Sequence, residues 1–189
     1  SNFGGAVKSS ATSFGDLEGD GDLDLVTSGI DGGGTRHLNR YMNNGAGGFS
    51  AAVEFGVGVS AGSTSLFDAD SDGDIDLIVT GLDAGSVARL DRHFNDGSGN
   101  FSGPVAFGPG LSNSSVSFGD LDGDGDIDLV TSGFDASSTP RLGRYWNDGT
   151  GVYSAPINFG VGAGYSSTAL GDIDADGDFD LIATGNDGG

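Results

Sequence analysis

A period of 52 residues runs through the whole chain, and no insertion or deletion breaks it. Asp16, Asp68, Asp120 and Asp172 each open an acidic stretch, at equal separations of 52 (16 to 68, 68 to 120, 120 to 172). Phe3, Phe55, Phe107 and Phe159, each followed by glycine, keep the same step. So do Arg40, Arg92 and Arg144, and likewise Leu38, Leu90 and Leu142. A repeat this strict restricts the fold to successive copies of one supersecondary unit, each burying its apolar face against the next.

Within a unit the pattern is that of strands. In the third copy Val116-Ser117-Phe118 is a short alternating stretch, followed by an acidic loop from Asp120 to Asp128. Ile127 through Thr131 is a compact β-branched and aliphatic run ending at Gly133, after which Leu142, Arg144 and Trp146 alternate with Gly143, Tyr145 and Asn147. The turn Asn147-Asp148-Gly149-Thr150-Gly151 supplies residues that tolerate positive φ, and a last strand is predicted from about Val152 to Phe159. No segment has helical spacing. Four antiparallel strands per repeat predict an all-β fold, a β-propeller built of four-stranded antiparallel blades. A coiling β-solenoid competes, but its repeats are usually shorter. The units span approximately 3–54, 55–106, 107–158 and a partial 159–189, about 3.6 repeats in 189 residues. That number of blades does not close a ring. It predicts a segment of a longer repetitive protein, or copies that complete one another as a homo-oligomer or polymer.

Composition separates this fold from a disordered chain. The hydrophobic share is 35 % and there are 38 glycines, a balance that in random order favours disorder. Here the apolar residues keep register, which argues for short strands and tight turns. The formal net charge of −21 opposes binding to phosphate backbones or anionic membrane surfaces, so neither nucleic acid nor direct membrane insertion is expected. With 0 cysteines, disulfides and thiolate metal sites are excluded. No apolar run approaches the roughly 20 residues of a membrane span, and no signal peptide is visible, though the chain begins inside a repeat.

The acidic loops carry the chemistry. In the third copy Asp120, Asp122 and Asp124 occupy positions one, three and five, Gly125 position six, Asp126 position seven and Asp128 position nine. Calcium takes 6–8 oxygen ligands at about 2.3–2.6 Å, and carboxylates at loop positions one, three and five are expected to converge when such a loop curls around an ion, with Asp128 at position nine closing the cage. Position seven would offer its backbone carbonyl. The twelfth position is Thr131, where a helix–loop–helix site would carry a bidentate glutamate. Asp68, Asp70, Asp72, Asp74 and Asp76 fill the second copy, and Asp172, Asp174, Asp176, Asp178 and Asp180 the fourth. The first has Asp16, Asp20, Asp22 and Asp24, but Glu18 stands at position three and is expected to weaken that site. A solvated acidic turn is the alternative for any one copy. Four copies in register favour Ca2+, because clustered carboxylates repel one another unless a cation neutralises them. Magnesium demands a stricter octahedron. Four bound Ca2+ ions would bring the net charge from −21 to −13.

These residues resemble the FG-GAP repeats of integrin α-chain propellers and the related VCBS repeats of bacterial surface proteins. Phe55-Gly56, the loop from Asp68 to Asp76, the strand Asp76-Leu77-Ile78-Val79-Thr80-Gly81 and the turn Asn95 to Phe101 follow the family's order. Thr80-Gly81-Leu82 stands where the family often has Gly-Ala-Pro. The resemblance implies a propeller of about seven blades, calcium between the first two strands of a blade, an extracellular or cell-surface setting, and a role in adhesion or ligand binding.

No enzyme is expected. His93 sits one repeat from Tyr41 and Tyr145, and His37 aligns with Arg89 and Arg141, so both read as substitutions at repeat positions. Arg40, Arg92 and Arg144 are expected to pair with Asp31, Asp83 and Asp135, which also step by 52. Three functions fit: an extracellular calcium-stabilised scaffold or adhesion module, a structural subunit of a surface fibre, or a glycan-binding propeller using the arginine–aromatic set. The partner is then a protein or glycan ligand, or further copies of the chain. Asn100-Phe101-Ser102 and Asn113-Ser114-Ser115 are glycosylation sequons.

Overall fold

A computed structural model describes residues 7–187. These residues form twelve antiparallel strands and no helix. The first unit contributes β1 (Lys8–Gly15), β2 (Asp24–Ile30), β3 (Arg36–Tyr41) and β4 (Val53–Val59). The second contributes β5 (Thr64–Phe67), β6 (Asp76–Leu82) and β7 (Ala88–His93), and shares β8 (Val105–Gly119) with the third. The third adds β9 (Asp128–Phe134) and β10 (Pro140–Tyr145), and shares β11 (Ile157–Gly171) with the last, which adds β12 (Asp180–Asn186). Phe3 and the phenylalanine–glycine pair it opens lie outside the described residues.

β1 to β4 pair in chain order as one sheet, and β5 to β12 pair in chain order as a second, curled sheet. The curl comes from β8 and β11, each 15 residues long. The first part of β8 pairs with β7 as the outer strand of one blade, and the rest pairs with β9 as the inner strand of the next. The architecture is therefore an incomplete propeller in which two blade junctions are continuous strands. The junction between β4 and β5 is broken. Gly62 stands there in place of Ser114 and Ser166, whose hydroxyls bond to those of Thr80 (2.8 Å) and Ser132 (2.6 Å). Ser28, one repeat before Thr80, has a buried hydroxyl with no such partner.

The recurring phenylalanine–glycine pair turns out to be the start of a bulge. Between β7 and β8 the register passes from Arg89↔Leu111 to Asp91↔Ala106, so β8 carries three more residues than its partner across Phe107-Gly108-Pro109-Gly110. The register jumps alike at Phe55-Gly56-Val57-Gly58 and Phe159-Gly160-Val161-Gly162. Each glycine makes room for a different neighbour. A Cβ on Gly56 would lie 2.6 Å from His93 Cε1, and one on Gly108 would lie 2.9 Å from Tyr145 Cε1. A Cβ on Gly58, Gly110 or Gly162 would overlap the carbonyl oxygen of Arg36, Ala88 or Pro140. The phenylalanines bridge to the next blade, with Phe55 stacked on Phe101 and Phe107 packed on Tyr153, both at 4.8 Å.

The core lies between blades rather than within them. Leu17, Val26, Leu38 and Val59 of the first unit bury against Leu77 and Val79 of the second. Phe67, Ile78 and Leu90 bury against Leu129, Tyr145 and Tyr153 of the third. The last strand of the third unit begins at Ile157, not at Val152. Tyr153 makes only an isolated bridge to Asn147, and Pro156 has no N–H to extend the ladder.

His93 occupies the aromatic slot and is fully buried. Its Nδ1 lies 2.9 Å from the Ser102 carbonyl oxygen, and its Nε2 has no partner. Burial holds its pKa below the usual histidine value. The fold thus favours the neutral ring, so this contribution is complete above about 6.5 and is lost as pH falls below that value. The pH dependence of the urea midpoint should accordingly flatten in this window in His93→Phe, and an unchanged profile would exclude the effect.

Candidate metal centres

Hairpin topology puts every β1–β2-type loop and every β3–β4-type turn at the same end of the blades. Both positions four and six of each loop need a left-handed backbone: Gly19, Ser71, Gly123 and Ala175 have φ of 71°, 61°, 80° and 61°, and Gly21, Gly73, Gly125 and Gly177 have φ of 91–100°. This curl lets the N–H of the position-six glycine donate to the position-one carboxylate, at 2.9 Å to Asp16, 3.0 Å to Asp68 and Asp120, and 3.1 Å to Asp172. The N–H of position seven donates to the position-five carboxylate, for example Asp74 to Asp72 at 2.9 Å.

The position-nine carboxylate closes each loop. It accepts the N–H of position two: Leu17 to Asp24 at 2.9 Å, Ala69 to Asp76 at 3.0 Å, Leu121 to Asp128 at 3.0 Å and Ile173 to Asp180 at 2.9 Å. Carboxylate oxygens of positions one, three and nine then converge. In Asp68/Asp70/Asp76, Asp120/Asp122/Asp128 and Asp172/Asp174/Asp180 they lie within 4.8 Å of one another. Two oxygens about 2.4 Å from one calcium ion can be no farther apart than that. The first loop, with Glu18 at position three, makes no such cluster among the described residues. Positions five and seven, which include Asp20, Asp124, Asp176, Asp22 and Asp178, are not part of these side-chain clusters. Asp74 and Asp126 lie against the β3–β4-type turns, where a Cβ on Gly97 or Gly149 would come within 2.6 and 2.7 Å of their carboxylates.

Electrostatics separates loop aspartates from turn aspartates. Asp31, Asp96, Asp135 and Asp148 are held below the usual carboxylate range, chiefly by donors from Thr35, Asn100, Thr139 and Thr150 respectively. Five loop carboxylates, Glu18, Asp70, Asp76, Asp126 and Asp128, are displaced upward. Burial pushes Asp76 to about 6 and raises Asp128, while burial and then Asp72 raise Asp70. Glu18 is raised by desolvation and then by Asp20 and Asp24. Asp68 Oδ1 and Asp70 Oδ1 are buried without a hydrogen-bond partner. Buried, mutually repelling carboxylate oxygens with no donors are what a hard dication satisfies, so the donor set fits calcium.

The arginines are arranged otherwise than the repeat spacing suggests. Arg144 lies over Trp146 at 4.6 Å and Arg92 over Phe94 at 4.9 Å, while Arg40 donates to Asn100 Oδ1 of the next blade at 2.8 Å. The ion pairs fall three positions earlier. Arg141 reaches Asp135 at 2.7 Å, Arg89 reaches Asp91 at 2.8 Å and Asp83 at 3.8 Å, and His37 lies 3.3 Å from both Asp31 and Glu54. Met42, Phe94 and Trp146 share a face with Arg40, Arg92 and Arg144, and at two of the three positions the guanidinium is held over the ring. Nε and Nη1 of Arg40 and Arg92 are buried without a hydrogen-bond partner. Where blade two has Asp91, blade three has Gly143, and a cleft of about 220 Å³ opens there, lined in part by Pro109, Thr131, Asp135, Arg141, Tyr145 and Asn158.

Repeated four-stranded blades with an acidic loop after each inner strand define a β-propeller-like repeat module. A family profile described as an FG-GAP-like repeat matches residues 16–79 and again 68–131. Together these matches cover 16–131, more than half of the 189 residues, and the chain belongs to the FG-GAP-like repeat family. No curated protein matches it. Among the described residues no helix is long and apolar enough to cross a membrane.

Proposed function

We propose that the chain is a non-catalytic, extracellular calcium-binding scaffold or adhesion module. In this reading the ions hold the blades in shape while exposed strands and turns engage a protein or glycan. The observation that carries it is the convergence of Asp68, Asp70 and Asp76, where Asp68 Oδ1 and Asp70 Oδ1 are buried and reached by no protein donor, together with the same convergence one and two periods later. Positions one, three and nine would hold the ion by side chain. The position-six N–H keeps the position-one carboxylate in place, and the position-two N–H does the same for position nine. Calcium itself supplies charge neutralisation at the crowded end of each blade.

A calorimetric calcium titration tests this. Three tight sites and a weaker fourth are expected, and Glu18→Asp should tighten the weak one by roughly tenfold, the worth of one recovered charge-assisted contact. Four equal sites in the wild type would contradict the ranking, and no heat of binding would end the reading. The cleft beside Gly143 favours a glycan as the partner. It combines proline faces with hydroxyl, amide, guanidinium and carboxylate groups, the mixture that recognises a sugar. A glycan-array screen in calcium distinguishes that partner from a protein one.

A further inference from the structure

Three of the loops are joined by one buried hydrogen-bond relay. Asn147 donates its backbone N–H to Asp128 Oδ1 at 2.8 Å, and its side-chain Nδ2 to the Ala69 carbonyl of the preceding blade at 2.8 Å. Ala69 donates its own N–H to Asp76 Oδ2 at 3.0 Å. Asp76 Oδ1 accepts the N–H of Asn95 at 2.8 Å, and Asn95 Nδ2 donates to the Leu17 carbonyl of the first blade at 2.8 Å. Leu17 donates to Asp24 Oδ2 at 2.9 Å, and Asn43 donates to Asp24 Oδ1 at 2.7 Å. From Asp128 to Asp24 every member is at most 6 % exposed.

The same connection therefore occurs twice, one period apart. Each asparagine also ties down its own loop, with Nδ2 donating to the Ile75 or Ile127 carbonyl at 3.1 Å. The position-two residue is thus held from both sides. Its N–H is fixed by the closing carboxylate of its own site, and its carbonyl by the next blade's asparagine.

We propose that Asn95 and Asn147 are positioning residues that couple calcium binding between neighbouring blades, so that filling one loop raises the affinity of the next. The inference rests on the calcium reading of the loops. Ligation orients the position-nine carboxylate and with it both N–H groups that it accepts. One of those belongs to the position-two peptide, whose carbonyl anchors the asparagine of the following blade. That asparagine presents its own N–H to the next closing carboxylate. An ordered loop hands its neighbour a pre-positioned donor, and buried hydrogen bonds in series polarise one another. The coupling is reciprocal. Simple electrostatics between loops has the opposite sign, because an empty site leaves its neighbours a more negative potential.

The test is a calcium chloride titration followed by the amide resonances of Gly21, Gly73, Gly125 and Gly177, which donate to the four position-one carboxylates. Asp70→Asn disables the second loop without touching the relay. The calcium concentration for half-shift at Gly21 and Gly125 should then rise about 5–150-fold, the usual range of coupling between sites. Gly177 should be unaffected, since among the described residues the relay does not reach Asp180. Unchanged or lower values at Gly21 and Gly125 would overturn the coupling. Adding Asn147→Leu should abolish the response of Gly125 while leaving that of Gly21. Should that double variant fail to fold, Asp70→Asn in the otherwise wild-type chain decides alone. An immobile Gly73 resonance in the wild type would instead remove the calcium reading itself, so the two failures are distinguishable.

Discussion

Chelating calcium should lower the melting temperature by roughly 16–32 °C. Three complete loops, each at about 100-fold excess of free ion over its dissociation constant, contribute ~2.7 kcal/mol apiece, or ~8 kcal/mol together. A module of this size shifts by about 2–4 °C per kcal/mol. On the calcium reading the effect is large because the ion would relieve a penalty already present in the fold. Asp70, Asp76 and Asp128 are all displaced toward protonation by burial and neighbouring charge, and Asp68 Oδ1 and Asp70 Oδ1 find no donor. Without a cation these groups oppose the loop curl, and each loop joins the two inner strands of its blade. Circular dichroism melts in millimolar calcium and in excess chelator measure the difference. Superimposable curves would rule out calcium as a structural element.

The second large effect is at the bulge. Gly110→Ala should cost at least about 3 kcal/mol, the upper part of the usual range for inserting atoms into a packed site. The reason is the identity of the obstacle. A new Cβ meets the carbonyl oxygen of Ala88, a backbone atom fixed in the β6–β7 ladder, so it cannot swing aside as a side chain would. Relief requires separating β7 from β8, which also moves Leu111 out of the core. Gly103→Ala is the control, because nothing lies within 4 Å of its Cβ position and its φ is ordinary. That change should stay within about 0.5 kcal/mol. Chemical denaturation of the two variants checks the contrast. Equal stabilities would mean that the bulge is not held as described.

Much of this was readable along the chain because it is local. The period, the strands around Leu77-Ile78-Val79 and the acidic loops depend on residues within a dozen places of one another. The spacing suggested that positions one, three and five converge, whereas position nine and not five joins one and three. The glycine of the phenylalanine–glycine pair was visible as a recurrence, yet its reason lies 37 residues downstream, in the His93 or Tyr145 ring that fills the space beside it. The continuous β8 and β11 were equally hidden. They follow from pairing with two different blades, whereas the pattern within one repeat suggests two separate strands. Arg92 and Arg144 were misassigned for a related reason. Spacing places them near Asp83 and Asp135, but facing direction gives those aspartates to Arg89 and Arg141 instead. The roles of Asn95 and Asn147 also depend on the preceding blade. Their turn-forming function is written in the Asn-Asp-Gly sequence, and their reach to Leu17 and Ala69 is set only by how the blades stack.

A crystal structure grown in millimolar calcium would show directly whether the loops hold the ion. Density for a cation is expected among Asp68, Asp70 and Asp76, with carboxylate oxygens at about 2.3–2.6 Å, and equivalent peaks at Asp120/Asp122/Asp128 and Asp172/Asp174/Asp180. Those loops with only water at hydrogen-bonding distance, or with their carboxylates turned apart at saturating calcium, would contradict the calcium reading.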